Sequence, residues 1–246
     1  MFLYIPAIFQ AILFALGLEL IIFYNQLFWV FFVIFLIISI ASFRIVVRKW
    51  SFWYLLVLFL LSVWTIIHLI DQSIDRHIFI FISALIYYFL LLGIHRSEKN
   101  INDQTAQSLI SMVLMATIFL FFSASYGIYL NFKISSWLLM LFYFVNITIV
   151  SYQYFATIER RKKRIVLIYS LVIGLAMLQM GWIINFWPFG YLTTGFILLM
   201  FYYILWDLVQ NYFLGNLSKK KVFINLIFFI LISAIVLGSS RWLPKI

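Results

Sequence analysis

Nine apolar runs follow one another with only short polar breaks between them, at residues 2–23, 27–43, 52–70, 78–94, 108–130, 136–157, 165–185, 190–213 and 222–239. Each is about 17 to 24 residues long, the length that carries an α-helix across roughly 30 Å of hydrocarbon. Barrel strands would instead alternate apolar and polar residues over about 10 positions, and these runs do not alternate. With 67% hydrophobic and 10% charged residues, against about 25% charged in soluble domains, the chain has too little polar surface to cover a water-soluble globule. The expectation is an all-α, polytopic transmembrane helix bundle: one integral membrane domain over residues 1–246 with about nine spans and no soluble domain.

The chain contains no cysteine, which excludes disulfides, thiolate metal sites and cysteine nucleophiles. The N-terminal MFLYIPAIFQAILFALGLEL has no positive n-region, so it reads as a retained first span and not a cleaved signal. The second run is the shortest; Arg44 can snorkel and let Ile45 to Val47 extend it.

A net charge of +10 would suggest nucleic acid in a soluble protein, but here the basic residues alternate between connections. One set of connections holds Arg44, Arg48 and Lys49, then Arg96 and Lys99, then Arg160 to Arg164, then Lys219 to Lys221, thirteen of the 17 Lys and Arg residues. The other set, around Asn25, from Asp71 to His77, around Lys133, around Pro188 and in the C-terminal RWLPKI, holds only Arg76, Lys133, Arg241 and Lys245. The positive-inside rule then expects a cytoplasmic N-terminus and an external C-terminus. Beside a membrane, IERRKKR is an orienting loop that meets anionic headgroups, so the lipid bilayer is the expected partner, together with a membrane protein or a second copy, and nucleic acid is not.

The longest connection, HRSEKNINDQTAQ from His95 to Gln107, leaves no room for a soluble domain. Three in-out-in hairpins between Lys49 and Lys221 each carry a tyrosine cluster on the outgoing helix: IYYF at 86, FYFV at 142 and FYYI at 201. Duplication of a hairpin would produce this, and so would coincidence in a chain that is 22% aromatic. NFWPFG at 185 to 190 reads as an external turn with Trp182, Trp187 and Tyr191 as interfacial anchors and Pro188 near the start of the next helix.

Ionisable residues inside spans are functional candidates by default. Glu19 continues a small-residue stripe, Ala7, Ala11 and Ala15, which aims it at a protein neighbour; at 1.5 Å per residue it lies about 25 Å from Phe2, near the external surface. Asp207 lies about 27 Å from Phe189, near the cytoplasmic interface. Gln210 and Asn211 share its helix face, as a polar cuff that pairs with the nearby lysines or as an entry vestibule for a cationic group. The midplane charge of an ion-coupled carrier is missing. Deeper neutral groups, Gln10, Ser83, Ser123, Ser125, Asn146, Thr148 and Gln179, fit interhelical hydrogen bonds, with Asn146 and Gln179 kept as candidates for substrate contact.

HLIDQSIDRH, residues 68 to 77, concentrates the most chemistry. If the helix persists, His68, Asp71 and Asp75 share a face, and with His77 they could hold a divalent metal or do acid and base work on a headgroup; as a solvated helix exit they would do neither, and no H-E-x-x-H spacing is present. No phosphate loop, nucleophile elbow or paired-aspartate motif occurs, which weakens the enzyme reading, and no resident metal or cofactor is expected.

WPFGYLTTGFILLMFYYILWDLVQNYFLG, from Trp187 to Gly215, resembles part of a family of small bacterial polytopic membrane proteins of unknown function. The resemblance implies a bacterial cytoplasmic membrane and assigns no catalytic residues. Two readings of function follow. The first is a non-enzymatic accessory subunit or small carrier for lipidic or amphipathic molecules. The second is a membrane-embedded enzyme acting on lipid headgroups at the external face through His68, Asp71, Asp75 and His77. A purely structural partner would instead show the Ala7, Ala11, Ala15 stripe exposed.

Overall fold

The computed structural model describes residues 5–23, 28–46, 52–100, 103–132, 134–159, 162–187 and 189–239. Asn25, Arg48, Lys49, Lys133, Arg160, Arg161, Pro188 and the terminal RWLPKI, which enter the charge and turn readings, lie outside these residues. Nine α-helices and no strand are found among the described residues: α1 (Ile5–Phe23), α2 (Phe28–Val46), α3 (Trp53–Leu69), α4 (Ser73–Lys99), α5 (Gln104–Asn131), α6 (Ser136–Ile158), α7 (Lys163–Ile184), α8 (Tyr191–Phe213) and α9 (Lys219–Ser239). Six of them, α1 and α4 to α8, are long and apolar enough to cross a membrane. Length and composition thus mark an integral membrane protein, because a helix satisfies its own backbone groups where no water can.

The helices follow the apolar runs, with one marked difference. The run at 78–94 becomes a helix of 27 residues, so Asp75, Arg76 and His77 lie in its first turns and His95 to Lys99 in its last. The expected connection from His95 to Gln107 is therefore mostly helix. Hydropathy marks only the part of a helix that suits lipid, whereas backbone bonding continues into the interface. Charge supports both extensions: Asp75 lies in the first turn of α4 and Arg96 and Lys99 in the last, as the helix dipole favours.

Asp103 closes the turn that remains. One carboxylate oxygen accepts the amides of Thr105 and Ala106 at 2.9 and 3.3 Å, capping α5, and the other accepts Arg96 Nε at 2.8 Å. The Arg96 hydrogen bond is the chief cause that holds the Asp103 carboxyl below its ordinary value, with the capping amides and the Arg96 charge assisting and desolvation opposing.

The chain divides into two compact units, Met1–Leu120 and Phe121–Ile246. In the first, α1 packs antiparallel on α4 and also meets α2. Its centre is Phe14, whose ring lies 5.3 Å from Phe35 of α2, 6.0 Å from Phe59 of α3 and 4.6 Å from Tyr87 of α4. Ala7 and Ala11 are buried, which corrects the exposed stripe that a purely structural partner would require. Small side chains there let α4 come close.

In the second unit the closest packing is α6 on α7. Glycines make it possible: a Cβ on Gly174 would stand 2.1 Å from Thr148 Oγ1 and 3.0 Å from the Phe144 carbonyl, and one on Gly181 would meet the Tyr143 ring at 2.6 Å. At the end of α8, Gly215 takes φ 69°. The amides of Gly215 and Asn216 reach the carbonyls of Tyr212 and Asn211 at 3.1 and 2.9 Å, the Schellman arrangement in which glycine avoids the left-handed penalty.

Gly174→Ala is expected to lower stability by about 1–3 kcal/mol, the usual cost of overpacking, measured by reversible unfolding in mixed micelles. Asp103→Asn keeps a cap but loses the charge paired with Arg96. Because the folded carboxyl titrates below the unfolded one, its stabilisation is complete above the ordinary carboxylate range and disappears as pH falls through the folded value. Unfolding midpoints of the native chain and Asp103→Asn should therefore differ at pH 7 and draw together as pH falls below the ordinary carboxylate range.

Candidate functional site

The first unit brings two separate candidates into contact. Glu19, four residues before the end of α1, accepts a hydrogen bond from His77 Nδ1, in the second turn of α4, at 2.8 Å, with side chains 39% and 58% exposed. A carboxylate can only accept, so this contact puts the ring proton on Nδ1 and leaves Nε2 outside the pair.

The remaining members of HLIDQSIDRH do not join them on one helix face. Helix α3 ends at Leu69 and α4 starts at Ser73, so the continuous helix that would align His68, Asp71 and Asp75 is interrupted by residues 70–72. His68 donates from Nδ1 to the Trp64 carbonyl at 2.9 Å, and Asp71 and Asp75 are exposed. Arg76 Nε turns back to the Ile70 carbonyl and braces the break at 2.5 Å. Among the described residues no three His, Asp or Glu side chains group closely enough to hold a metal.

Below this rim, α1, α2 and α4 enclose a cleft of about 290 Å³. Phe14, Gly17, Ile34, Phe35 and Ile38 make its walls mostly apolar, and Gln10, Ser39 and Tyr87 supply polar groups. All three are buried, Tyr87 almost completely, and the Tyr87 hydroxyl donates to the Ser39 carbonyl across a long 3.5 Å. Gly17 shapes the wall, since a Cβ there would strike the Phe35 ring at 2.7 Å.

In the second unit Asp207 is engaged by Asn225 of α9, whose Nδ2 donates to Asp207 Oδ2. The partner found among the described side chains is thus an amide inside the α8–α9 contact, while Lys219 and Lys220 are exposed at the start of α9. Gln210 accepts the Tyr154 hydroxyl from α6 at 3.4 Å, and Asn211 donates to the Asp207 carbonyl at 2.8 Å. The members of the expected polar cuff thus meet helices on two sides of α8, α9 through Asp207 and α6 through Gln210. Asn146 is buried and donates to the Phe142 carbonyl of its own helix at 2.7 Å. Gln179 is exposed on α7.

Sequence reasoning passed over two contacts. Asn225 is a single polar residue in the apolar FINL of α9, and that isolation was its signal. The buried Ser151 and Tyr202 hydroxyls meet at 3.2 Å between α6 and α8. Tyr202 occupies the second position of FYYI, as Tyr87 does in IYYF and Tyr143 in FYFV, and all three are among the most deeply buried side chains.

The family described as "Protein of unknown function (DUF5656)" matches residues 44–239, and the chain belongs to that family. The match takes in α3 to α9; α1 and nearly all of α2 precede it. No curated protein and no solved structure matches the chain.

Proposed function

We propose that this member of the family is a nine-span, non-enzymatic protein of a bacterial cytoplasmic membrane, with N-terminus inside and C-terminus outside, that binds lipidic or amphipathic molecules as an accessory subunit or small carrier. The thirteen-to-four asymmetry of basic residues between alternate connections supports the orientation. The same basic connections would hold anionic headgroups on the cytoplasmic side.

The observation that carries the binding role is the cleft between α1, α2 and α4. At about 290 Å³ it is roughly twice the size of an apolar cavity that stays dry and admits benzene. Water does not fill such a space at membrane depth, so its natural occupant is an apolar chain. Lipid tails are already in an apolar solvent, so burial alone gives no preference for the cleft. Selectivity must come from shape and from the few polar groups. Gln10, Ser39 and Tyr87 supply these, and they suit a chain that carries a hydrogen-bonding oxygen or nitrogen.

Photolabelling with a lipid bearing a diazirine on its acyl chain tests this in reconstituted protein. Adducts should concentrate on Leu13, Ile34 and Ile38 at the cleft. Ile34→Trp, which narrows the mouth at a half-exposed position, should reduce labelling of Leu13 and Ile38 by about tenfold, a difference of 1.4 kcal/mol in occupancy. Labelling spread evenly over the apolar helix faces, or unchanged by Ile34→Trp with the fold intact, would remove the proposal.

A further inference from the structure

The opposite side of α1 forms a second groove with α4. Ala11, Ile12 and Ala15 face Phe81, Ala84 and Leu85 across about 320 Å³ that is almost wholly apolar and laterally open. Ile8, Ile12, Ala15 and Glu19 follow at spacings of four, three and four, and Tyr88, Leu85, Phe81 and His77 at three, four and four. These spacings keep each set on one helix face. The groove therefore lies along the α1–α4 seam and ends at Ala15 and Phe81, one helical turn short of the Glu19–His77 pair on the same two faces.

We infer that this pair is a headgroup site for a phosphoethanolamine lipid whose acyl chain lies in the α1–α4 groove. The inference rests on the membrane-embedded reading above but not on occupancy of the other cleft. Glu19 and His77 each lie four residues from a helix end, about 6 Å along the axis, which is headgroup depth. With Nδ1 and Oε1 joined to each other, the atoms left to meet a headgroup are Glu19 Oε2, an acceptor for an ammonium, and His77 Nε2, which becomes a donor to a phosphate oxygen when it carries a proton.

The charges around the pair select among headgroups. Glu19 is the carboxylate that meets His77 at this rim, and a carboxylate calls for a cationic donor in the headgroup. A phosphoglycerol headgroup carries no cation to offer Glu19. A choline headgroup carries the positive charge but has no N–H to donate to Glu19. Ethanolamine has both the charge and the donors.

The full chain should be purified and incubated with equal amounts of dioleoyl lipids carrying ethanolamine, choline or glycerol headgroups, and the retained lipid counted by native mass spectrometry. Retention of the ethanolamine lipid is expected to exceed the other two by about tenfold, the worth of one charge-assisted hydrogen bond. Glu19→Gln should abolish that preference and Ala84→Phe should lower retention, while Ile34→Trp, on the other side of α1, should leave both unchanged. Equal or absent retention of the three headgroups, or a preference that survives both Glu19→Gln and His77→Phe, would overturn the inference. Loss of cleft labelling together with an intact ethanolamine preference would separate failure of the cleft from failure of this site.

Discussion

Every peptide group that enters hydrocarbon must find its partner inside the protein, and this requirement governs the whole chain. It makes helix the only economical conformation for the apolar runs and pushes irregular backbone into short connections. Where a connection is tight it is held by specific chemistry: Asp103 caps α5 while taking Arg96 from α4, and Gly215 closes α8 with its amide and that of Asn216 bound back to the helix.

Within the helices the same requirement leaves few polar groups; many bond back to a carbonyl one turn earlier, as Ser62, Thr117 and Ser170 do, and a few reach a neighbouring helix. Asp207 is met by Asn225, Gln210 by Tyr154 and Tyr202 by Ser151. These contacts tie α6, α8 and α9 together in the second unit. The first unit is different. Its Phe14 centre is aromatic, its α1 helix is flanked by a cleft on one side and a groove on the other, and its ionisable pair is partly exposed. The proposed binding chemistry therefore lies in the first unit, where the cavities and the ionisable pair are. Helix α1 and most of α2 lie outside the matched family segment, so the cleft draws on helices that precede it.

The helices were legible because apolar length is a direct requirement of the bilayer, and depth counting put Glu19 and Asp207 near helix ends. Orientation about each helix axis was not legible. A helix that is apolar all round carries no stripe to mark its buried face, so Gln179 read as an interior group and is exposed, whereas Asn225 drew no notice and holds Asp207. Partners far apart in the chain were equally hidden: Glu19 and His77 are 58 residues apart, and each was read against its own segment. The extension of α4 was missed because charged turns end a hydropathy run without ending a helix. The small residues Ala7 and Ala11 were the exception, since a repeated gap in side-chain volume points to a close neighbour whatever its identity.

The central claim is a chain threaded through the membrane with its connections on alternating sides. The absence of native cysteine allows single introduced thiols to report it directly. Cysteine would replace Gln72, Asn100, Ser135 and Asn216, all exposed positions in connections, and be treated with a membrane-impermeant maleimide in intact cells and after permeabilisation. The account predicts labelling of positions 72 and 135 in intact cells and of 100 and 216 only after permeabilisation. Labelling of 72 and 100 from the same side would contradict it.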